Sequence, residues 1–342
     1  MTVLRLGGDR LSVRVPGRPV TVCAVLAAAT LAVGAVTMST GDYPVPLPDV
    51  LRTLVGQGPP GTDFIVLTLR LPRLLAALLI GAALGVSGGI LQRLSGNPLG
   101  SPDVIGFTNG AASGAILVIL LWGNGMYQVA AGAVIGGLAT LTLVYTLAFR
   151  GGVAGIRLIL IGIGMSAMFL ALNNYLIATA SLDAAMSAQT WLIGTLNGRR
   201  WEHVRPVLLA VGVLLPLAFY YGRRLAMLEM GDDTAKALGV PVERTKLVLV
   251  VVSVALVAVA TAVAGPISFV ALAAPQLARR LTRSAGPGLM PAALMGALLL
   301  SASDLATQRL FAPTPLPVGL ATAAIGGAYL AWLLIARASS SR

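Results

Sequence analysis

Residues 71–93 read LPRLLAALLIGAALGVSGGILQR, and from Leu74 to Leu91 this stretch contains no charged side chain. A helix that crosses the hydrocarbon core of a bilayer needs about 20 mostly apolar residues, so the stretch predicts a membrane-spanning helix. Pro72 suits the first turn of such a helix. The glycines between Gly81 and Gly89 would let neighbouring helix backbones approach closely. The stretch therefore predicts one member of a packed helix bundle.

Nine further apolar segments of similar length predict more spans. Apolar residues make up 57% of the 342-residue chain, which at about 20 residues a span allows at most about ten helices. The segments are unbroken and do not alternate with polar residues as the strands of a membrane barrel do, so the expected fold is an all-α integral membrane protein of about ten transmembrane helices. The spans are expected at about 19–39, 71–93, 104–122, 127–149, 156–180, 204–221, 246–264, 266–282, 288–306 and 317–336.

The N-terminus raises the alternative of a cleaved signal peptide, because four arginines precede the first apolar run. That run, at 19–39, is longer than the 7–15 apolar residues of a signal peptide and ends at Met38-Ser39-Thr40-Gly41 without a clear Ala-x-Ala cleavage site. We therefore expect a cytoplasmic tail over 1–18, a transmembrane domain over 19–336 and a cytoplasmic tail over 337–342.

The charge distribution predicts the orientation. The chain has 24 Lys+Arg against 12 Asp+Glu, a net charge of +12 that in a soluble protein would indicate nucleic-acid binding. With the N-terminus inside, only seven of the 24 fall outside, and the excess of basic residues on one side is the usual mark of the cytoplasmic face. Both termini are therefore expected in the cytoplasm, with no nucleic-acid partner. The seven are Arg52, Arg70, Arg73, Arg199, Arg200, Arg205 and Arg309.

Two kinds of chemistry are not supported by the residues. Cys23 and His203 are each the only residue of their type, so a metal site built from Cys and His is not expected. The sequence contains no Gly-x-x-x-x-Gly-Lys-[Ser/Thr] and no Gly-Lys dipeptide, so no phosphate loop for ATP is expected on this chain.

Four segments between or within the spans carry further information. The arginines of 69–73 either anchor a helix at the interface or meet an acidic external partner. Residues 88–103 contain prolines, glycines and polar side chains, which indicate either a plain loop or irregular backbone at membrane depth. Residues 264–280 contain Gly265-Pro266 and Ala274-Pro275, typical of a kinked hairpin or of the broken helices around transport pathways. Asn173 and Asn174 either line a path or bond to neighbouring helices.

The remaining segment, 231–241, predicts a short helix in a cytoplasmic loop. Asp232 and Asp233 suit its N-terminus, Gly239 suits the position after its end, and Pro241 stops it. Ala235 and Leu238 are three residues apart, so they are expected to share a face that another protein could receive in a groove. An ordinary loop helix is the alternative.

Together these segments resemble the FecCD family of ABC-importer permeases over roughly residues 64 to 336. The resemblance lies in the order and spacing of several short motifs: Arg70-Leu-Pro-Arg73, Gly81–Gly88, Gln92, Asn97–Asp103, Trp191-x-x-Gly194-Thr-Leu, Ala235-x-x-Leu238-Gly239-Val240, Gly265–Val270, Asp304 and Leu316-Pro-Val-Gly319.

The resemblance implies a BtuC-like permease of the type II importers, paired with an identical or sister permease, an ABC ATPase dimer inside and a binding protein outside. No cofactor is implied on this chain, since ATP and Mg would bind the ATPase subunits. By position it implies three sets of functional residues. They are Asp232, Ala235, Leu238, Gly239 and Val240 for ATPase coupling; Arg70, Arg73 and Arg309 for binding-protein docking; and Gly155, Ile156, Asn173 and Asn174 for the translocation path.

The chain departs from the family pattern at three places. Gln276 stands where a histidine is usual, Gln308 stands where an arginine is frequent with Arg309 beside it, and 326–330 lacks the usual Gly-x-Pro-x-Phe. These departures suit a divergent member, such as one half of a heterodimer. The resemblance favours import of a ferric siderophore across the bacterial cytoplasmic membrane, with cobalamin or haem as alternatives. An ion-coupled secondary transporter or a membrane-embedded enzyme would need ionisable residues in mid-membrane or a catalytic cluster, and the sequence offers little of either.

Overall fold

The computed structural model describes residues 2–6, 11–15, 17–123, 125–148, 155–283, 288–310 and 316–340. Strands β1 (Thr2–Leu6) and β2 (Leu11–Val15) pair antiparallel ahead of the first helix. The rest is helical: α1 (Gly17–Ser39), α2 (Leu47–Leu54), α3 (Leu71–Leu94), α4 (Phe107–Trp122), α5 (Met126–Ala148), α6 (Gly155–Thr179), α7 (Leu182–Leu192), α8 (Trp201–Leu228), α9 (Asp232–Ala237), α10 (Val242–Ala264), α11 (Val270–Thr282), α12 (Leu289–Leu310) and α13 (Val318–Ser340).

A helix occupies each of the ten segments predicted to span the membrane. Within the described residues, seven helices are long and apolar enough to cross a bilayer: α1, α5, α6, α8, α10, α12 and the continuous helix Phe64–Leu94. The last begins with a π-helical stretch, Phe64–Arg70, that runs directly into α3. Helices α4 and α13 are shorter apolar helices in their described parts.

Three details differ from the predicted spans. Helix α7 was missed, because its residues mix small, polar and apolar side chains without a long apolar run. Helix α8 continues seven residues beyond the predicted end at 221, to Leu228, and the Arg224 guanidinium stacks 5.0 Å from the centre of the Tyr221 ring. Helix α11 begins at Val270 instead of 266, since Gly265-Pro266 opens an irregular turn in which Phe269 has φ +69°.

Helix α3 lies at the centre of the bundle and packs against α8, α10, α11 and α12. Its contact with α12 depends on glycine, because a Cβ on Gly81 would overlap the carbonyl oxygen of Gly296, and a Cβ on Gly296 would overlap that of Gly81. Such close backbone approach is what small residues provide in membrane bundles. The prediction that the Gly81–Gly89 stretch belongs to a packed bundle is therefore confirmed.

Candidate functional site

Two polar contacts define the two ends of the bundle. The Trp201 indole N–H donates to the Leu67 carbonyl at 2.8 Å, which places the start of α8 beside the start of α3. Arg93 pairs with Glu229 at 3.3 Å, which joins the end of α3 to the residue after α8. We call the first the Arg73 end and the second the α9 end, because α9 follows α8 directly.

The α9 end carries the short helix that the sequence predicted. Gly239 has φ +80° and donates its N–H to Lys236 O at 2.9 Å, while Val240 donates to Ala235 O at 2.9 Å. This pair of bonds is a Schellman motif, which requires a residue that tolerates positive φ after the helix end. The predicted place of Gly239 is therefore confirmed.

An ion pair anchors the other end of α9. The Lys246 ammonium, whose side chain is 10% exposed, bonds the Asp232 carboxylate at 2.5 Å. Asp233, one residue on, is fully exposed and only 3.7 Å from the exposed Lys236. Asp232 thus fixes α9 to α10, and Asp233 faces outward.

The expectation that Ala235 and Leu238 share one outward face is wrong. Ala235 is fully buried in a small cluster with Val240, Val242 and the side chains of Met227 and Leu228. Leu238 is 57% exposed. It is the C-cap residue, and positions i and i+3 of a helix are offset by about 60° around the axis, so the side chain of Leu238 clears the contact that buries Ala235. The α9 end therefore presents Leu238 and Gly239 over a base made by Ala235 and Val240.

At the Arg73 end, two of the three predicted docking arginines, Arg70 and Arg73, are engaged within the chain. Arg73 donates to both carboxylate oxygens of Asp304, at 2.9 and 2.8 Å, and Asp304 is only 2% exposed. Gln308 donates to the same carboxylate at 2.7 Å. Bidentate Arg–carboxylate pairs are among the stronger polar contacts in proteins. Gln308, at the position where the family often has arginine, therefore completes the partners of a buried acid.

Arg70 and Arg309 differ in exposure. The Arg70 guanidinium donates to the backbone carbonyls of Met38 at 2.6 Å and Tyr43 at 2.5 Å, which ties the end of α1 to α3. Arg309 is exposed one residue after Gln308. Of the three predicted docking residues, the structure leaves Arg309 most open to another molecule.

The segment between α3 and α4 has irregular backbone, and two glutamine side chains support it. Gln276 donates to Pro98 O at 2.5 Å, and Gln92 donates to Leu272 O at 3.0 Å. The first bond holds this segment against α11, and the second joins the end of α3, where the segment begins, to the first turn of α11. This gives a physical role to Gln276, which departs from the family pattern.

Three glycines of the motifs that carried the resemblance meet at the Arg73 end. A Cβ on Gly194 would overlap Pro266 O, and one on Gly319 would overlap Ile193 O. Thr195 N–H donates to Ala264 O at 2.7 Å, and Gly319 N–H donates to Gly194 O at 3.1 Å. The motifs around Gly194, Gly265 and Gly319 are thus one backbone junction between α7, α10 and α13.

The predicted path residues all belong to α6 but do not form one cluster. Gly155 begins the helix; its surroundings lie outside the described residues. Ile156 is 71% exposed, and Asn174 is exposed. Asn173 is 2% exposed, and its Oδ1 has no hydrogen-bond partner within the described part of the chain. Since Ile156 and Asn173 are about 25 Å apart along the helix axis, they would line different levels of any path.

Sequence reasoning missed a cavity of about 480 Å³ at the Arg73 end, lined by residues of α4, α5, α7, α8 and α10 and by Thr195 and Arg199. The signal available was the cluster Arg199, Arg200 and His203, of which the arginines entered only the prediction of orientation and His203 only the argument against a metal site. Among the described residues, no group of three or more His, Cys, Asp or Glu could hold a metal ion.

Comparison with known proteins identifies the family to which this helical bundle belongs. The FecCD transport family matches residues 21–336. The chain belongs to the FecCD transport family. The match covers α2 to α12 entirely and most of α1 and α13, so the family resemblance predicted from short motifs is confirmed.

Individual FecCD relatives are similar along nearly their full length. The ferric enterobactin transport system permease protein FepG of Escherichia coli (strain K12) is 48% identical over 313 residues, covering 92% of this chain and 95% of the relative. The probable siderophore transport system permease protein YfhA of Bacillus subtilis (strain 168) is 37% identical, covering 91% of this chain and 93% of the relative.

Solved structures share the architecture. A chain from an inward-facing metal-chelate type ABC transporter superposes with a TM-score of 0.80 at 28% identity, covering 93% of this chain and 99% of that chain. PsaBC from Streptococcus pneumoniae superposes with a TM-score of 0.54 at 17% identity and shows the fold alone. The helical FecCD bundle is therefore that of an ABC transporter permease.

Proposed function

We propose that this chain is the permease subunit of an ATP-driven importer that moves a ferric siderophore across the bacterial cytoplasmic membrane. The observation that carries the proposal is the 48% identity, over 92% of the chain, to a permease named for ferric enterobactin transport. The relatives named for siderophore, achromobactin, hydroxamate and citrate iron transport support the same class of cargo.

The proposed orientation places the α9 end in the cytoplasm and the Arg73 end outside. Ten helices would cross the membrane, with cytoplasmic tails at 1–18 and 337–342 flanking the permease domain. The excess of basic residues on the α9 side supports this orientation. It gives each end of the bundle a separate partner.

At the α9 end we assign the partner to be an ABC ATPase dimer, which binds ATP and Mg. Leu238 would enter a groove of the ATPase as an exposed apolar side chain. Asp232, Ala235, Gly239 and Val240 would act through position: Asp232 anchors α9 to Lys246, Ala235 and Val240 form its base, and Gly239 permits the turn. Motion of the ATPase would then reach α8 and α10 through a helix fixed to both.

At the Arg73 end the partner would be an external siderophore-binding protein with an acidic face. Arg309 would meet that face directly, while Arg70 and Arg73 would hold the surface in shape through their bonds to Met38, Tyr43 and Asp304. Charged groups at the rim of an interface mainly steer association.

A second permease, identical or sister, would cover helices that this chain leaves exposed. Helix α6 is exposed on most of its length, with Ile156, Leu160 and Met168 more than 60% exposed. With a second copy facing it, α6 would line a central path through Gly155, Ile156, Asn173 and Asn174. Alternating access between the two ends would carry the intact ferric chelate along this path.

Uptake in a strain that lacks this gene tests the proposal. We expect the strain to accumulate radiolabelled ferric enterobactin only when the chain is restored together with its ATPase, and to take up labelled haem at the same rate with or without it. The haem arm is included because the hemin permease HmuU of Yersinia pestis is 37% identical over 79% of this chain. Uptake that persists without any ATPase would refute ATP-driven import. Uptake of haem but not of ferric enterobactin would refute a ferric siderophore as the cargo.

A further inference from the structure

The cavity at the Arg73 end has one apolar and one polar wall. Ile119, Val129 and Ala262 contribute apolar side chains from α4, α5 and α10. Thr190, Arg199 and His203 are among the polar residues, which come from α7, the following loop and the start of α8. Its volume of about 480 Å³ lies within the range of pockets that hold small organic molecules.

Arg199 is the most unusual side chain in this cavity. Its Nε donates only a long bond, 3.4 Å, to Thr195 O. Within the described ranges, no Asp or Glu forms an ion pair with it, and burial lowers the pKa of its guanidinium. Arg199 is partly buried, and a cation that loses hydration without gaining a counter-charge is destabilised, so the site favours an anion.

The groups beside Arg199 are also donors. His203 is 8% exposed, and its Nδ1 accepts the Arg200 N–H at 3.2 Å, so a neutral imidazole carries its proton on Nε2 and can donate. Thr195 Oγ1 accepts the Asn197 N–H at 3.1 Å, and its own proton can donate. The carboxylate nearest to His203, that of Glu202, is 3.8 Å away, lies on an exposed side chain and does not line the cavity.

Exposed aromatic residues place the cavity at the level of lipid headgroups. Trp122 ends α4 at 69% exposure, and Tyr127 lies in the first turn of α5 at 67% exposure. Trp and Tyr concentrate where a membrane protein meets the headgroups. Ile119 and Val129, on the same two helices, line the cavity itself.

We propose that this cavity binds the phosphodiester headgroup of a phospholipid from the adjoining leaflet. Arg199, His203 and Thr195 would donate to the phosphate oxygens. The start of an acyl chain would lie along Ile119, Val129 and Ala262. A phosphate supplies the acceptor oxygens that these donors need, and an acyl chain suits the apolar wall, so one molecule satisfies both.

Binding of short-chain lipids to the purified permease complex, in an uncharged detergent, tests the proposal. The probes are dioctanoyl phosphatidylglycerol, dioctanoylglycerol without phosphate, and inorganic phosphate. We expect saturable binding of the phosphatidylglycerol, weakened roughly tenfold or more in Arg199→Gln, since a charge-assisted hydrogen bond is lost. Arg199→Lys keeps the charge and should retain most of the affinity.

Arg205→Gln is the matched control, because Arg205 is exposed on α8, carries the same charge and does not line the cavity. It should leave the affinity unchanged. Equal binding of dioctanoylglycerol would show an apolar cavity only, and inorganic phosphate bound as tightly as the lipid would assign the site to a free anion; either result overturns the proposal. So does undiminished lipid binding by Arg199→Gln. If that variant fails to fold, Thr195→Val, which removes another of the proposed donors, takes its place: it should bind the lipid more weakly than Arg205→Gln, and undiminished binding by it overturns the proposal.

Discussion

The α9 end and the Arg73 end both contain an ion pair that holds the structure together, but they expose different kinds of side chain. At the α9 end, the buried Lys246 pairs with Asp232, and an apolar side chain, Leu238, is exposed. At the Arg73 end, Arg73 pairs with the buried Asp304, and a charged side chain, Arg309, is exposed. An apolar projection suits a tight, lasting contact, whereas a rim charge suits a reversible encounter.

A motif therefore includes residues that build a surface as well as residues that touch a partner. Three residues of the two motifs, Arg70, Arg73 and Ala235, contact other parts of this chain, and so does Asp232, three residues before Ala235. Substitutions that separate building from touching are therefore the informative ones.

The largest effect is expected from Asp304→Ala, which leaves Arg73 without its partner. Breaking a buried ion pair from one side costs about 3–5 kcal/mol, so the variant should unfold at a much lower temperature in detergent or fail to accumulate. Arg309→Ala, five residues on and exposed, is the control and should melt like the wild type. A normal melting temperature for Asp304→Ala would show that the pair does not build the Arg73 end.

Leu238→Asp should abolish co-purification with the ATPase while the permease stays folded. An exposed apolar side chain that enters a partner's groove is worth at least about 2 kcal/mol, roughly a thirtyfold loss of affinity. Asp233→Ala, on the fully exposed side of the same helix, serves as the control and should retain the ATPase. Retention by Leu238→Asp would place the contact elsewhere.

Gly239→Ala should loosen α9 without changing any side chain that touches the partner. A Cβ at φ +80° costs about 1–2 kcal/mol, so amide hydrogen exchange over 232–240 should speed up several-fold. Gly212→Ala is matched, because Gly212 lies inside α8 with open space around its Cα. Equal exchange in both variants would contradict the role of the Schellman turn.

Arg309→Glu should give the smallest effect, a several-fold slower association with the binding protein that fades at high salt. Arg223→Glu makes the same change of charge at the α9 end and should leave association unchanged. The double variant Arg70→Glu with Arg73→Glu should weaken docking too, because it removes the bonds to Met38, Tyr43 and Asp304 that hold the surface in shape. Unlike Arg309→Glu, it should also lower the melting temperature. If Arg309→Glu associates at the wild-type rate in low salt, the exposed arginine is not the docking contact.

Much of the helical architecture was predictable because membrane spans leave long apolar runs. The α9 helix was also predictable from a local signal, since Gly239 and Pro241 mark the end of a helix. What could not be predicted depends on pairs distant in sequence. The burial of Ala235 depends on Val242 and Leu228, the engagement of Arg73 depends on Asp304, and the support of Pro98 depends on Gln276.

The same limit explains the missed cavity. Its lining residues come from 119 to 262 in the chain, and no local pattern joins them. The mixed composition of α7 hid the helix that forms one wall.

Transport by the reconstituted complex tests the central claim most directly. Proteoliposomes would contain this chain, its partner permease and the ATPase, with the binding protein and radiolabelled ferric enterobactin supplied at the binding-protein face and ATP at the other. We predict that label accumulates only with ATP and ATPase, and that Leu238→Asp abolishes accumulation while binding-protein docking persists. Accumulation without ATPase, or undiminished ATP-dependent accumulation by Leu238→Asp, would contradict the account.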